Sequence, residues 1–238
     1  MSIKEKYVVK SIDKYLTKDW LLHKHYAKRM PNIMFAFGLF DSSNIMQGVC
    51  TYGMPPCHFN YGQGIFNDYS VDTYELTRLV INENLEKNIL SFFVSATIKM
   101  IKKPCCLLSF ADPNNGHHGY IYQATNWLYT GLSQKGGKDK QWILNNREYH
   151  AKTITIEWIK SHYKTYDDSK NMTENWQNMG GTVEENDLRK YRYIFLSGSK
   201  ADIIRMKSKL ALPILQYPKG QNIRYDSSYK PMVQTELF

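Results

Sequence analysis

Apolar runs separated by turn-forming residues predict strands in the first part of the chain. A strand is predicted over residues 6–12, and the apolar runs 33–40 and 45–52 are separated by Asp-Ser-Ser-Asn. That composition is typical of a turn, so the two runs predict an antiparallel hairpin. Between the first strand and the hairpin, Thr17 is the predicted N-cap of a helix that ends near Arg29, because the proline that follows disfavours helical geometry.

Strand and helix alternate in the middle of the chain. Residues 74–81 predict a strand, and residues 88–103 predict a helix that Asn88 caps, with apolar residues at three- and four-residue steps. Residues 105–110 are almost continuously apolar, as expected of a strand that is covered on both faces. Two strands joined by a helix favour a right-handed crossover between parallel neighbours, so the pattern predicts a mixed α/β sheet.

The pattern weakens after residue 140. Residues 154–163 predict a helix, residues 191–196 a strand, and residues 201–209 a short basic helix. Residues 166–187 are polar and typical of turns. We therefore expect fewer regular elements in this part of the chain.

A chain of 238 residues is long enough for one large domain. We expect a single main domain over residues 1–212, with an inserted or elaborated region over 135–190, and a basic C-terminal tail over 213–238. The N-terminal residues carry charges every few positions, and no stretch approaches the roughly 18 apolar residues that a membrane span needs. We therefore expect a cytoplasmic protein that binds no membrane.

The four cysteines favour a reducing compartment. They are Cys50, Cys57, Cys105 and Cys106, and a disulfide between the adjacent pair would be strained. Their spacing matches no zinc-ligand pattern such as two CxxC motifs, so a zinc site is the less favoured alternative. Their individual roles are left open.

Positive charge is concentrated in the last fifth of the chain. The formal net charge is +9, and residues 189–238 hold ten Lys and Arg against three Asp and Glu. Basic residues beside tyrosines suit a phosphate backbone, because neutralised phosphates release condensed counterions. A solvated face with a loose tail is the alternative interpretation. With a lighter basic stretch at 135–141, the candidate DNA-binding residues are Lys135, Lys138, Lys140, Arg192, Lys207, Lys219 and Arg224.

Polar residues also lie where the two predicted parallel strands end. Ligands of open α/β sheets bind at the carboxyl ends of such strands. Arg78 lies near one end, Asp112 immediately follows the other, and Asn88 to Ser91 open the intervening helix. We expect these groups to converge.

Several of these residues have a structural alternative when they are taken alone. Asp112 before Pro-Asn-Asn-Gly could simply stabilise a turn. Tyr122 and Trp127 on a short helix are typical core residues. His117 and His118 are weak candidates for metal ligands together with Asp112, because loop histidines are more often solvated. No metal site is expected on this basis.

Several stretches together resemble the bacteriophage Mom DNA-modification family. They are YELTRLVI at 74–81, NILSFF at 88–93 and, above all, LLSFADPNNGHHGYIYQATNWLYTG at 107–131. The segment His25-Tyr26 with Arg29 and Pro31, and GVCTYGMPP at 48–56, are similar to the same family, whereas RYIFL and QYPKG match it more loosely. The resemblance implies the fold of the GNAT acyltransferase superfamily, a mixed, mostly antiparallel central sheet flanked by helices, here with a basic C-terminal extension.

The resemblance implies a transferase that acts on adenine in double-stranded DNA. A phage enzyme of this kind would act in the cytoplasm of the host cell. It would convert the exocyclic amine to an N6-carbamoylmethyl adduct and so protect phage DNA from restriction. Carried over residue by residue, the family's active-site set falls on Tyr26, Arg78, Ser91, Asp112 and Tyr122. His25 is a weaker candidate for the same set.

The chemistry of adenine suggests a role for each residue. The lone pair of the amine is delocalised into the ring, so reaction needs a positioned base and a polarised electrophile. We expect Asp112 to be the base and Tyr122 to protonate the leaving group. Donor contacts are expected at Arg78, Val80, Asn88 and Ser91, the last two near a helix N-terminus that favours anions. A flipped base needs stacking partners, for which Tyr26 and Trp127 are candidates, and His25 is expected to contact DNA.

The donor stays open between acetyl-CoA and a glycine-derived compound, with a metal ion as a weaker expectation. The glycine-rich phosphate loop that usually precedes the central GNAT helix is replaced by Glu83-Asn84-Leu85-Glu86-Lys87-Asn88, which argues against ordinary acetyl-CoA binding. The alternatives are a conventional GNAT N-acetyltransferase for a small amine or protein, and a phage protein that binds DNA without catalysis. Double-stranded DNA is the expected partner, and a homodimer is left open.

Overall fold

The computed structural model describes residues 2–133, 139–149, 153–164, 166–186, 189–220, 229 and 231. The chain forms two compact units. Unit 1 comprises Met1–Leu132 and Lys190–Phe238, and unit 2 comprises Ser133–Arg189. Within the described residues, no helix is both long and apolar enough to cross a membrane.

Strands and helices alternate along the described residues. The strands are β1 (Tyr7–Ser11), β2 (Phe35–Asp41), β3 (Met46–Gly53), β4 (Thr73–Ile81), β5 (Cys105–Ala111), β6 (Leu128–Leu132), β7 (Asp139–Leu144), β8 (Arg147–Tyr149), β9 (Thr182–Asn186) and β10 (Tyr191–Ser197). The α-helices are α1 (Ile3–Lys6), α2 (Ile89–Met100), α3 (Tyr120–Ala124), α4 (Ile156–His162), α5 (Met172–Asn178) and α6 (Lys200–Ser208). Short 3-10 turns lie at Lys14–Thr17, Cys57–Gly62 and Pro113–Asn115, and a π-helical turn lies at Trp20–Lys24.

Unit 1 is built around a seven-stranded sheet in the order β1-β2-β3-β4-β5-β10-β6. Every neighbouring pair is antiparallel except β4 and β5, which are parallel and are connected through α2. The predicted hairpin is β2 and β3, with Phe35 opposite Tyr52. The mixed, mostly antiparallel sheet flanked by helices is therefore confirmed, together with its one parallel pair.

The helical segment after β1 begins and ends earlier than predicted. Asp13 caps it, because its side chain accepts a hydrogen bond from the Tyr15 backbone at 2.8 Å. Thr17 lies inside the first turn, where its hydroxyl donates to the Lys14 carbonyl at 2.7 Å. The π-helical turn ends at Lys24, and the backbone of the capping residue His25 is extended. Tyr26 therefore lies outside the helical segment.

Both faces of β5 are covered, as its continuous apolar sequence predicts. Cys105 belongs to a core cluster with Phe93 of α2, and Cys106 belongs to a second cluster with Met206 of α6. Neighbouring residues of a strand point to opposite faces, and both thiols are fully buried. β5 is therefore held by packing on both of its faces.

Unit 2 is a three-stranded antiparallel sheet in the order β8-β7-β9, with α4 and α5. Its core includes Trp142 and Trp176, which are buried and pack edge to face with ring centroids at 5.4 Å. The prediction of turns over residues 166–187 is wrong, because α5 and β9 lie there. α5 begins with a capping box between Asn171 and Glu174 and has only Met172 and Trp176 as apolar residues, too few for a clear periodicity.

The segment after α6 is bound to the body of unit 1. The Leu215 N–H donates to the Tyr129 carbonyl of β6 at 2.9 Å, and the Tyr217 hydroxyl donates to the Trp127 carbonyl at 2.7 Å. β6 is the last strand of the sheet, so its outer edge offers backbone groups that a neighbouring segment can pair with. The interpretation of a loose tail is therefore wrong for the described residues up to 220.

Candidate active site

The parallel strands β4 and β5 separate in the direction in which both run. Their pairing ends at Glu75 and Leu108, after which β4 continues beside β3 and β5 continues beside β10. A gap therefore opens between the two strands at their carboxyl ends, the usual ligand position in such sheets. Arg78 lies on β4 beyond the separation, and Asp112 directly follows β5.

Tyr26 lies at the centre of the polar groups around this gap. Its ring stacks on His25 with centroids at 4.4 Å and meets the edge of His117 at 5.2 Å. Burial raises the pKa of Tyr26, the charges of Lys190 and Arg78 lower it, and the charge of Asp112 raises it. Arg78 and Asp112 therefore both lie within electrostatic reach of Tyr26.

Asp112 builds the turn after β5 with its backbone and also places a carboxylate at the end of this strand. Its backbone carbonyl accepts the N–H groups of Asn115 and His117 at 3.2 and 3.0 Å, which builds the turn after β5. Its carboxylate is only 13% exposed, and Oδ2 lies 3.3 Å from the Lys190 ammonium. The turn therefore uses the backbone of Asp112, whereas its carboxylate pairs with Lys190.

Arg78 presents an unsatisfied donor. One terminal nitrogen donates to the Thr77 carbonyl at 2.7 Å, whereas its buried Nε has no hydrogen-bond partner. Burial lowers the pKa of Arg78, and the neighbouring Tyr26 and Glu75 raise it again. A guanidinium keeps its charge in proteins, so this site can bind an anionic or polarised oxygen.

His25 enters the pocket as a neutral imidazole. The Ala27 N–H donates to its Nδ1 at 3.1 Å, so that nitrogen is an acceptor and the proton is assigned to Nε2. Burial, helped by the charges of Arg78 and His117, lowers the pKa of His25 to about 3. His25 is only 6% exposed and so offers little surface to DNA, and the predicted DNA contact there stays a prediction.

Tyr122 on α3 lies beside Ser109 of β5 and within electrostatic reach of Tyr26. Its hydroxyl lies 2.7 Å from the Ser109 hydroxyl of β5, and its ring packs on Trp127 at 5.1 Å. Burial raises the pKa of Tyr122 well above its ordinary value, and Tyr26 raises it further. The phenol is therefore protonated at neutral pH, so it can give up a proton as an acid, and its hydroxyl can both donate and accept a hydrogen bond.

The predicted donor-binding residues are divided between two places. Ser91 and Asn88, at the start of α2, line a shallow depression together with Lys4 and Ala124. The Ser91 hydroxyl donates to the Asn88 carbonyl at 2.9 Å, as a residue in a first helical turn commonly does. Val80 packs against the apolar cluster of Trp20 and Leu21, so its side chain belongs to the core.

The two loop histidines have structural contacts. His117 meets Tyr26, and burial lowers the pKa of His117, whereas His118 packs beside Tyr191 with centroids at 5.8 Å. Among the residues that the structure describes, no three His, Cys, Asp or Glu side chains are grouped so that they could hold a metal ion.

Two of the predicted DNA contacts are wrong because their side chains are buried. Trp127 is fully buried between Tyr122 and Phe195, so neither face of its ring is open to a base. Arg192 is 5% exposed and donates to the hydroxyl and the carbonyl of Thr130, both at 2.9 Å. The sequence shows the charge of an arginine in a strand but not the face on which it lies.

The other predicted DNA contacts have different positions. Lys207 and Lys219 are exposed. Lys135, Lys138 and Arg224 lie outside the described residues, and Lys140 lies in β7 with a side chain that is also outside them. These predictions stay predictions.

Sequence reasoning missed Lys190 and Ser109. Lys190 precedes β10 and reaches Asp112 only because β10 pairs with β5, so no local pattern reveals it. Ser109 is a hydroxyl within the apolar run of β5, and that break in composition was a usable signal.

Comparisons with known proteins show what the whole chain is similar to. The chain is similar to the "Methylcarbamoylase mom" of Escherichia phage Mu, with 27% identity over 158 residues, and the match covers 64% of this chain and 62% of that protein. It is also similar to the "Crystal structure of a putative phosphinothricin N-acetyltransferase", with a TM-score of 0.38 and 10% identity over 60% of this chain and 92% of that chain. The chain thus spans less than two thirds of the phage relative.

The family comparison covers much more of the chain. The model of the Mom protein family matches residues 6–219, which include β1 to β10, α6 and the bound segment after it. The matched range contains Tyr26, Arg78, Asp112 and Tyr122. This chain belongs to the Mom protein family.

Proposed function

We propose that this protein is a transferase that modifies the exocyclic amine of adenine in double-stranded DNA to an N6-carbamoylmethyl group. The observation that carries the proposal is that Arg78 and Asp112 lie where β4 and β5 separate and that both act electrostatically on Tyr26. Membership of the Mom family supports it, as does the name of the phage Mu relative, a methylcarbamoylase. Protection of phage DNA from restriction would follow from the altered base.

The proposed reaction involves two proton transfers, one to Asp112 and one from Tyr122. The amine nitrogen forms a bond to the methylene carbon of a glycine-derived donor while the bond from that carbon to the leaving group breaks. Asp112 takes a proton from the amine, and Tyr122 gives its proton to the leaving group, so charge balances. Arg78 stabilises negative charge that develops on the donor, with the buried Nε as the available donor group.

The donor in this proposal is a glycine-derived compound, because displacement at the thioester of acetyl-CoA would leave an acetyl group on adenine instead. The segment before α2 contains no glycine, and its Glu83 pairs with Lys24 while Glu86 pairs with Lys6. A backbone cradle of the glycine-rich type is absent there, so side chains rather than loop amides would hold a phosphate or carboxylate of the donor. Arg78 in the pocket and Lys4 beside Ser91 are the cations placed for that role.

A flipped adenine would stack in this pocket on Tyr26. An enzyme that acts on a base must take it out of the duplex and support it with aromatic contacts. Tyr26 is partly exposed, whereas His25 supports the ring of Tyr26 from behind at 4.4 Å. Trp127 is buried and takes no part.

Mass spectrometry of nucleosides tests this function. We expect plasmid DNA from bacteria that produce the protein to contain a deoxyadenosine heavier by one carbamoylmethyl group, absent from cells with an empty vector. Purified protein with duplex DNA and an extract of small molecules should reproduce the product. Unmodified adenine in DNA, together with acetylation of a small amine, would contradict the proposal and favour a conventional acetyltransferase.

The surface that meets DNA is proposed to lie on unit 1. Unit 2 carries nine Lys and Arg and nine Asp and Glu, so the whole formal charge of +9 belongs to unit 1. On α6, Lys200, Arg205 and Lys207 are exposed. Cations grouped on one exposed helix suit phosphate contacts.

Replacing Arg205 and Lys207 together by Gln is expected to weaken DNA binding equally for all sequences. Two lost phosphate contacts should make the slope of log affinity against log salt concentration shallower by about 2. Fluorescence anisotropy with a labelled duplex at several salt concentrations measures this slope. The matched control replaces Lys160 and Lys164, which are exposed on unit 2, and should keep the original slope. A wild-type slope in the α6 variant would mean that α6 faces away from DNA.

A further inference from the structure

A single buried hydroxyl lies at the point where β4 and β5 separate. Ser109 follows Leu108, the last residue of β5 that pairs with β4, and it is 1% exposed. Its Oγ lies 3.0 Å from the Leu76 carbonyl of β4 and 2.7 Å from the Tyr122 hydroxyl. Ser109 therefore connects the opened sheet to the phenol that the proposed reaction uses as an acid.

The two contacts of Ser109 compete for one hydrogen. A serine hydroxyl donates once, the Leu76 carbonyl can only accept, and the Tyr122 hydroxyl can do either. In one arrangement Ser109 donates to Leu76, and Tyr122 donates to Ser109. In the other, Ser109 donates to the Tyr122 oxygen, and the phenolic hydrogen is released toward the pocket. The same oxygen positions serve both arrangements.

We propose that Ser109 is a positioning residue for proton delivery by Tyr122, an inference that rests on the proposed function and deepens it. Between turnovers Ser109 receives the phenolic hydrogen and keeps it from the solvent. During the reaction the O–H bond of Tyr122 breaks as the leaving group takes the proton, and the Ser109 hydrogen turns from the Leu76 carbonyl to the phenolate oxygen. No other proton or electron is required.

The surroundings of Tyr122 make this hydrogen bond important. Burial raises the pKa of Tyr122, the bond from Ser109 lowers it, and the remaining charged or titratable neighbours raise it. These neighbours are Tyr26, Cys50 of β3 and Glu75 of β4, and the ring of Tyr193 of β10 packs at 5.1 Å. Within the described residues, Ser109 is thus the neighbour that favours loss of the proton.

The substitution Ser109→Ala tests the role by kinetics. We expect the single-turnover rate of adenine modification to fall on the order of tenfold, the effect of one hydrogen bond, with an unchanged KM for DNA. The chain offers a matched control in Thr97, whose hydroxyl lies 2.8 Å from the Tyr52 hydroxyl and 2.9 Å from the Val94 carbonyl. Thr97→Val removes an equally buried bridge and should keep the wild-type rate.

A second measurement does not depend on activity. A fluorinated tyrosine placed at position 122 reports its hydrogen bond and its ionisation through the ¹⁹F resonance. Ser109→Ala should shift that resonance and raise the pKa of the labelled phenol, and Thr97→Val should change neither. An unchanged resonance in Ser109→Ala overturns the inference whatever the rate. If the wild-type protein leaves adenine unmodified, the proposed function fails, and the ¹⁹F comparison still decides whether Ser109 holds the phenol.

Discussion

Replacing Asp112 by Asn is expected to reduce adenine modification by at least about 100-fold. General-base catalysis by a positioned carboxylate contributes roughly that much or more, and an amide cannot accept the proton of the amine. Asn keeps the size of the side chain, so the packing around its 13% exposed position should be retained. The rate is measured in a single turnover on duplex DNA, with mass spectrometry of the nucleosides.

The structure allows a loss of activity to be assigned to the carboxylate. The turn after β5 uses the backbone carbonyl of Asp112, which Asn also provides. A matched control is Asp168→Asn on unit 2, where the carboxylate is exposed and pairs with Lys160 at 2.7 Å. This control should modify adenine at the wild-type rate. Full activity of Asp112→Asn would show that Asp112 only builds the turn.

Replacing Glu83 by Gln is expected to lower the free energy of unfolding by about 3 kcal/mol, because it leaves a buried charge without its counterion. Lys24 is 1% exposed, and its ammonium lies 2.6 and 2.8 Å from the two Glu83 oxygens. Its remaining partner is the Tyr229 carbonyl at 2.8 Å, a neutral group. Denaturant unfolding followed by tryptophan fluorescence measures the change.

Two further variants make this stability prediction decisive. The double variant Lys24→Met with Glu83→Gln should recover most of the loss, since an apolar side chain replaces the buried charge. Asp168→Asn, which breaks an exposed ion pair, should cost less than about 1 kcal/mol. If Glu83→Gln unfolds at the same denaturant concentration as the wild type, the buried Lys24 ammonium does not need Glu83 as its counterion.

The position of this ion pair connects stability to the site. Lys24 ends the π-helical turn directly before His25 and Tyr26, and Glu83 follows β4, which carries Arg78. The pair therefore holds two elements of the pocket together. Partial unfolding of either element would separate Tyr26 from Arg78.

Part of the site follows from local sequence. Arg78 and Asp112 were expected together because the two strands that carry them have clear apolar patterns, and parallel strands bring their carboxyl ends to one edge. Tyr122 was selected through resemblance to the Mom family, and its short helix lies where that resemblance placed it. The predictions for these residues rest on apolar patterns and motifs that each span a few neighbouring positions, so a single sequence contains them.

Other parts depended on contacts between distant segments. Lys190 reaches Asp112 through the pairing of β10 with β5, and the Leu215 segment adds to the edge of β6. Arg192 carries a charge that suits a surface, and Trp127 was a candidate to stack on a base, yet both are buried in the assembled structure. Burial is a property of the assembled layers, so composition and charge could not predict it.

The order of strands and helices around β5, the concentration of positive charge and the likeness to a DNA-modifying family were all contained in the sequence alone, because each depends on near neighbours or on composition. Only the tertiary structure decided that β4 and β5 part after Glu75, that Ser109 bridges the opening, and that His25 is a neutral, buried support for Tyr26. The physical reason is that hydrogen-bond partners and desolvation are set by the segments that meet in space, and these lie far apart along the chain.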